Sequence, residues 1–118
     1  MGASVGSFGA TLLAVFFMSR AYAASWPPDG QAIAEHGIPP NIPACTSCHR
    51  SSFTGDAAKR TPSLRGKPAA DLMDDLSAEA ENRKDHSEMA DISRHLDMAQ
   101  RAAVTAYIAS LSPKTLTP

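Results

Sequence analysis

This 118-residue chain lacks most of the patterns that identify larger or mixed folds. No segment alternates apolar and polar residues as a β-strand would, and there is no internal repeat or low-complexity tract. The formal net charge is only -1, so the composition gives no reason to expect nucleic acid or an acidic membrane surface as a partner. These absences leave a single small domain without β-structure, and the length suffices for no more.

The amino-terminal segment lacks charge and is strongly apolar. Residues 2–19 contain no charged side chain, and the small residues that end at Ala23 suit a signal peptidase. The alternative is an uncleaved anchor helix, but the apolar run falls short of the roughly 20 residues that a membrane span needs, and Arg20 closes it. We therefore expect residues 1–23 to be a secretory signal peptide cleaved after Ala23. The mature domain, residues 24–118, would then have no stable membrane span.

Helical patterns account for most of the mature chain. Asp29 and Gly37 suit the two ends of a first short helix. Asp97, with a glutamine three residues later, suits the start of the last helix. Between them, apolar spacing predicts a helix that starts at Pro68 and a shorter one capped by Ser87. The expected class is all-α, with four or five short helices.

Two segments between these helices do not have a helical pattern. Residues 38–43 contain three prolines, which remove backbone donors and fix φ, so a stiff loop is predicted there. Residues 50–68 contain glycine, proline, serine and threonine without a sustained apolar period. A loop of this length is unusual in a small domain and is often functional or wrapped around another group.

Both cysteines lie in the stretch PACTSCHRSS, as Cys45 and Cys48, with His49 directly after the second. A disulfide across so short a loop would remove little chain entropy, and the βαβ pattern of redox-active CxxC proteins is absent. A zinc site would need a fourth ligand, and adjacent Cys and His side chains point apart. Candidates for that fourth ligand are His36, His86 and His95.

Covalent haem explains all three residues of this motif together. Two thiols three residues apart can bond the two vinyl groups along one porphyrin edge, and the imidazole that follows can bind the iron. Cys-x-x-Cys-His is the attachment signature of c-type haem, and a signal peptide agrees with assembly outside the cytoplasm. We therefore expect one haem c, with its iron, bound covalently through Cys45 and Cys48 and ligated by His49.

The iron needs a sixth ligand, and several side chains after the motif could supply it. Met73 lies on the apolar face of its helix and Met98 at the first turn of the last helix, where packing roles are typical of methionine. Met89 follows a polar segment that could carry it over the haem, and this position favours it. His86 and His95 remain alternatives.

With these motifs the chain resembles the class I c-type cytochromes, in particular their single-haem bacterial periplasmic branch. The resemblance covers roughly residues 30–111 and rests on four features. They are the CTSCH motif after a short helix, the loop PSLRG at residues 62–66, Met89 in HSEMADISRHL, and the final helix VTAYIASL with Tyr107.

The resemblance implies a small cytochrome c fold wrapped around one haem, with Met89 as the distal ligand. It also implies that the carbonyl of Pro62 accepts a hydrogen bond from Nδ1 of His49 and thereby fixes the ring. The first helix, near Gly30, would cross the last one near Tyr107. Three positions depart from the family pattern: Arg50 replaces a glycine, Lys67 replaces a glutamine, and Leu72 with Met73 replaces an aromatic–leucine pair.

A six-coordinate iron has no open site for a substrate, so the expected function is that of a periplasmic carrier of single electrons and not of an enzyme. The expected partners are redox proteins, namely a dehydrogenase, a quinol–cytochrome c reductase or a terminal oxidase. The chain would meet them as a monomer or as a subunit of a redox complex. A basic segment, residues 50–67, and an acidic one, residues 71–97, could steer such encounters.

Two alternatives to a free carrier stay open at this point. The first is a haem-based ligand-binding or sensor protein with a labile sixth site. The second is a fixed cytochrome subunit of a periplasmic dehydrogenase or oxidase.

Overall fold

The computed structural model describes residues 2–4, 6, 26–84 and 86–111. These residues form five α-helices and no strand, which confirms the predicted all-α class. The predicted signal peptide, residues 1–23, and its cleavage site lie outside the described residues, apart from residues 2–4 and 6. In chain order the helices are α1 (Gly30–His36), α2 (Thr46–His49), α3 (Ala69–Ala80), α4 (Ser87–His95) and α5 (Met98–Ser110).

Helix α5 is the centre of the packing, because it contacts both α1 and α3, and α3 in turn packs against α4. The predicted crossing of the first and last helices is confirmed. A Cβ atom on Gly30 would lie 2.0 Å from the carbonyl oxygen of Ala103 and 3.1 Å from Cβ of Tyr107. Only glycine therefore fits at this crossing. The hydroxyl of Tyr107 donates to Oε1 of Glu35 at 2.9 Å, which adds a second link between α1 and α5.

The ends of the first and last helices follow the sequence closely. The Asp29 carboxylate accepts the N–H of Ala32 at 3.0 Å, as predicted for an N-cap. Asp97 and Gln100 form the predicted capping box, in which each side chain accepts the backbone N–H of the other. These caps satisfy N–H groups that would otherwise have no partner within the helix.

The predicted starts of the two middle helices are each wrong by one residue. The N-cap of α4 is His86 rather than Ser87, because the carbonyl of His86 accepts the N–H of Ala90 at 2.9 Å. His86 makes no side-chain cap bond, since its ring is held by another helix. Pro68 is the N-cap of α3 and not its first helical residue, with an extended ψ of 151°. A proline there restricts the preceding residue and gives a sharp helix start.

The segment of residues 50–68 is a folded loop with one turn of 3₁₀ helix, as the composition predicted for a loop. The side chain of Phe53 extends from this loop into the core, where it is buried. Its ring packs edge-on against Tyr107, with the ring centroids 6.4 Å apart. The loop folds back on α2, since the N–H of Gly55 donates to the carbonyl of His49 at 3.1 Å. The loop therefore forms one wall beside the cysteine motif.

The apolar core lies between α1, α3, α5 and these loops. Among the residues described, no helix combines the length and the apolarity that a membrane crossing requires. The buried members of the core are Ile33, Ala34, Ile42, Phe53, Leu72, Leu96, Val104 and Ile108.

Candidate haem site

A cavity of about 750 Å³ opens between α2, α3, α4, α5 and the loop of residues 59–64. This volume lies within the range of cofactor sites, which is about 300–1,000 Å³. Much of its wall is apolar, so it suits a large, flat and mostly apolar group. The aliphatic side chains that line it are Leu64, Leu72, Leu76, Ile92, Leu96, Val104 and Ile108.

Both cysteines line this cavity as free thiols. Cys45 immediately precedes the short helix α2 and Cys48 lies within it, so the spacing of three residues places both on one side of a helical turn. Cys45 is half-buried, and burial raises the pKa of its thiol, whereas Cys48 is exposed. Two unpaired thiols on one edge of an apolar cavity can each form a bond to a group within it.

His49 is the most buried residue of the motif, with 6% of its surface exposed. Its Nδ1–H donates to the carbonyl oxygen of Pro62 at 3.0 Å, which is the hydrogen bond that the family resemblance implied. This bond assigns the proton to Nδ1 and leaves the lone pair of Nε2 free for a metal. Burial lowers the pKa of His49, although the Pro62 carbonyl acts in the opposite sense. Burial thus favours the neutral imidazole, which is the form that binds metals.

The backbone conformation of Arg50, the residue after His49, is one that suits the glycine of the family pattern. Arg50 ends α2 with φ of 66°, in the left-handed region that glycine adopts without steric cost. Its guanidinium lies 3.3 Å from the carboxylate of Asp56, so the side chain pairs within the adjoining loop. The substitution therefore changes the surface beside the motif and leaves the position of His49 intact.

Met89, in the first turn of α4, lines the same cavity and is partly buried. Of the other methionines that the structure describes, Met73 is partly buried outside the cavity wall, and Met98 is 62% exposed. His95 also lies outside the cavity wall, and its Nδ1–H donates a hydrogen bond to the carbonyl of Asp91 at 2.8 Å. His86 also reaches the cavity, and its Nδ1 donates to the carboxylate of Glu79 at 2.7 Å, so its Nε2 stays available as an alternative ligand. The structure thus brings Met89 to the cavity that holds the cysteine motif.

A group of charged side chains on α3 and its flanking segments was not predicted from the sequence. Lys67 and Lys84 both donate to the carboxylate of Asp75, at 3.1 and 2.5 Å. Lys84, and with it Lys67, lowers the pKa of Asp75. One turn further along α3, Glu79 is buried at the cavity wall. A signal for Glu79 exists in the sequence, because it stands seven residues after Leu72, on the apolar face of the helix.

These residues fit a covalently attached haem better than either alternative. The two cysteines are not joined to each other. Within the described part of the chain, no three or more His, Cys, Asp or Glu side chains converge as a zinc site would require. A c-type haem uses two thiols that bond the porphyrin, and an imidazole and a thioether that bind its iron. All four groups line this one apolar cavity. The fold and the site together define a small all-α haem protein of the c type.

The family model for cytochrome c matches residues 29–112, and the chain belongs to the cytochrome c family. Its fold and neighbours are those of class I c-type cytochromes. The prediction of covalent haem c with its iron is thereby confirmed. Proteins of this family transfer electrons.

The chain is 31% identical over 75 residues to the thiosulfate dehydrogenase electron acceptor of Thiomonas intermedia (strain K12). The match covers 64% of this chain and 35% of that protein. A thiosulfate dehydrogenase (TsdBA) structure from Marichromatium purpuratum has a TM-score of 0.67 and 32% identity, over 71% of this chain and 18% of its own.

Two structures of cytochrome c4 are also similar to this chain. The one from Acidithiobacillus ferrooxidans has a TM-score of 0.63 and 29% identity, over 69% of this chain and 47% of its own. The one from Pseudomonas stutzeri has a TM-score of 0.62 and 25% identity, over 67% and 44%. This chain therefore spans about a third of the curated relative's length and less than half of each solved chain's length.

Proposed function

We propose that this protein is a periplasmic cytochrome with one haem c that carries single electrons between redox proteins. The observation that supports this most directly is the shared cavity, which both cysteines, His49 and Met89 line. In this proposal Cys45 and Cys48 hold the haem by thioether bonds, and His49 and Met89 are the two axial ligands of the iron.

Each of these residues has a distinct task in the proposal. The Pro62 carbonyl fixes the orientation and tautomer of His49, so that Nε2 would be free to bind the iron. The thioether of Met89 fills the sixth position, and a His/Met ligand pair raises the reduction potential. The apolar wall, with Leu72, excludes water and disfavours the additional positive charge of the oxidised state. When bound, the haem iron supplies the one-electron ferric–ferrous couple.

The protein is proposed to be a carrier and not an enzyme, because an iron held by His49 and Met89 would have no open site for a substrate. The test is the optical spectrum of the haem-loaded protein, ferric and ferrous, with and without carbon monoxide. We expect a far-red sulfur-to-iron band in the ferric form and no carbon monoxide binding to the ferrous form. Met89→Ala should abolish the band and admit carbon monoxide, whereas Met73→Ala and Met98→Ala should change neither.

A different result would support the ligand-binding or sensor function instead. If the native ferrous protein binds carbon monoxide readily and the ferric protein lacks the far-red band, then Met89 does not close the sixth site. The carrier proposal would then be abandoned.

The periplasmic location and the domain bounds belong to the same proposal. Residues 1–23 would direct export and be removed, and residues 24–118 would form the cytochrome domain. Export fits a covalent haem protein, since bacterial cytochromes c of this kind are usually periplasmic. Intact mass of the protein from the periplasmic fraction tests this, because cleavage after Ala23 predicts a chain that starts at Ala24.

A second candidate function is that of an electron-accepting partner or subunit of a dehydrogenase. It is supported by the two matches to proteins named for thiosulfate dehydrogenase. Purification of the tagged native protein under mild conditions separates the two candidates. Co-elution with a large catalytic subunit in constant ratio would favour the subunit, and a monomer that reduces or oxidises several partners would favour the free carrier.

A further inference from the structure

Glu79 is a buried acid whose position the proposed ligand set does not explain. Its side chain is 8% exposed and lies at the wall of the haem cavity, in the last turn of α3. One oxygen, Oε1, accepts Nδ1–H of His86 at 2.7 Å. The other oxygen, Oε2, is buried with no hydrogen-bond partner. A buried carboxyl group with an unpaired oxygen costs free energy, so such a group calls for a specific role.

His86, the hydrogen-bond partner of Glu79, lies at the start of α4. His86 is the N-cap of α4, and its carbonyl accepts the N–H of Ala90, so the first turn of the helix is built on His86. Met89 lies within that turn. A hydrogen bond that fixes the ring of His86 against α3 therefore also fixes where Met89 stands at the cavity.

A second contact ties the same two helices on the solvent side. Arg94, in the last turn of α4, donates from Nε to the carbonyl of Ala80 at 3.3 Å and from Nη2 to the side chain of Asn82. Asn82 has φ of 56°, in the left-handed region, and reverses the chain after α3. The turn between α3 and α4 is thus held at both ends, and the Glu79–His86 bond is the attachment next to Met89.

We propose that Glu79 is a positioning residue that holds Met89 on the haem iron through His86. The proposal rests on the proposed His49/Met89 ligation. Glu79 does not touch the metal; it stabilises the arrangement of α3, His86 and the first turn of α4 in which the Met89 thioether reaches the cavity. If Met89 leaves the iron and the first turn of α4 shifts, the Glu79–His86 bond is lost.

The experiment measures how easily imidazole displaces Met89 in the ferric, haem-loaded protein. Loss of the far-red sulfur-to-iron band reports displacement, and its concentration dependence gives an apparent dissociation constant for imidazole. We expect Glu79→Ala and His86→Ala each to bind imidazole about tenfold more tightly than wild type. This ratio corresponds to about 1.4 kcal/mol, within the roughly 0.5–1.5 kcal/mol that a hydrogen bond contributes to stability.

Conservative variants separate positioning from charge and from loss of volume. Glu79→Gln keeps an oxygen that accepts from His86, and His86→Asn keeps a donor near the place of Nδ1, so both should bind imidazole within about twofold of wild type. The double variant Glu79→Ala/His86→Ala should resemble either single variant, because the two residues act through one bond. The matched control is Glu81→Ala, since Glu81 is an exposed acid at the C-cap of the same helix and pairs with Arg83.

The outcomes distinguish failure of this inference from failure of the proposed function. If the wild-type protein lacks the far-red band, the proposed ligation is wrong and this inference falls with it. If the band is present but Glu79→Ala binds imidazole as Glu81→Ala does, or if the effects of Glu79→Ala and His86→Ala simply add, only the positioning role is overturned. Should Glu79→Ala fail to bind haem, His86→Ala decides, because 60% of the His86 side chain is exposed and its truncation leaves the core intact.

Discussion

Gly30 is the residue at which this fold leaves least room for a side chain. The position occurs where α1 meets α5, and a methyl group there would overlap the backbone of Ala103. The obstacle is a helix backbone rather than the end of a flexible side chain, so local repacking cannot relieve it. Val104 and Ile108 of α5 form part of the wall of the cavity. The close packing of α1 against α5 holds this wall in place.

Gly30→Ala should therefore destabilise the haem-loaded protein by about 3 kcal/mol, at the upper end of overpacking costs. The measurement is the free energy of unfolding in guanidinium chloride, followed by far-UV circular dichroism. Gln31→Ala, at an exposed position in the same helix, is the control and should change stability by less than about 0.5 kcal/mol. Equal effects of the two substitutions would show that the crossing tolerates a wider separation.

At the scale of helices, α3 organises the charged side of the cavity. Asp75 binds Lys67 from the segment before the helix and Lys84 from the segment after it. One carboxylate thus joins two chain segments that are 17 residues apart in sequence. These pairs are partly exposed, so their contribution to stability is modest and sensitive to salt.

The pH dependence of stability should reveal this link. Lys84 and Lys67 hold the pKa of Asp75 below its usual value of about 3.9. A carboxyl group with a lowered pKa in the folded state stabilises the fold above its unfolded pKa, and that contribution is lost as the pH falls through the folded pKa. Asp75→Asn should thus be less stable than wild type at pH 7, and the difference should disappear at pH values well below about 4.

Denaturant titrations at several pH values measure this difference, with Asp74→Asn, at an exposed position on the same helix, as the control. A gap between wild type and Asp75→Asn that stays constant from neutral to acid pH would show that the two lysines do not interact with Asp75 in solution.

The helices also show which parts of the fold could be predicted from the sequence. The starts of α1 and α5 could be predicted because their caps, Asp29 and Asp97, each accept an N–H three residues further along the chain. The predicted start of α4 was wrong by one residue, because Glu79 of another helix holds His86. A local sequence pattern does not predict such a contact. The CTSCH motif predicts the candidate haem site without tertiary information, whereas the charged links of α3 depend on the tertiary fold.

At the scale of the whole molecule, charge is distributed unevenly around the site. Lys59 and Arg60 line the cavity in the loop beside the motif, and Arg50 and Arg65 in the same loop are exposed. Residues 71–97 carry nine acids, on α3, α4 and the segments that follow them. A basic rim near the cavity would attract negatively charged electron acceptors and donors.

We expect oxidation of the ferrous protein by the anion hexacyanoferrate(III) to slow as salt is added, since charges are screened beyond about 10 Å at 0.1 M ionic strength. Arg60→Glu should lower the second-order rate constant about three- to tenfold at low ionic strength. Arg83→Glu makes the same change in net charge at an exposed position outside the cavity wall, and should have a smaller effect. Stopped-flow kinetics that give the same decrease for both variants would mean that only net charge matters and that the basic rim has no local role.

Ligation of the iron by Met89 is tested most directly by the proton NMR spectrum of the reduced, haem-loaded protein with isotope-labelled methionine. A thioether bound to ferrous iron lies over the porphyrin, whose ring current moves its methyl protons far upfield. Ligation by Met89 predicts one such methyl signal, which is lost in Met89→Ala and kept in Met73→Ala and Met98→Ala. An upfield methyl that belongs to Met73 or Met98, or no upfield methyl at all, would contradict ligation by Met89 and with it the proposal of a closed, six-coordinate electron carrier.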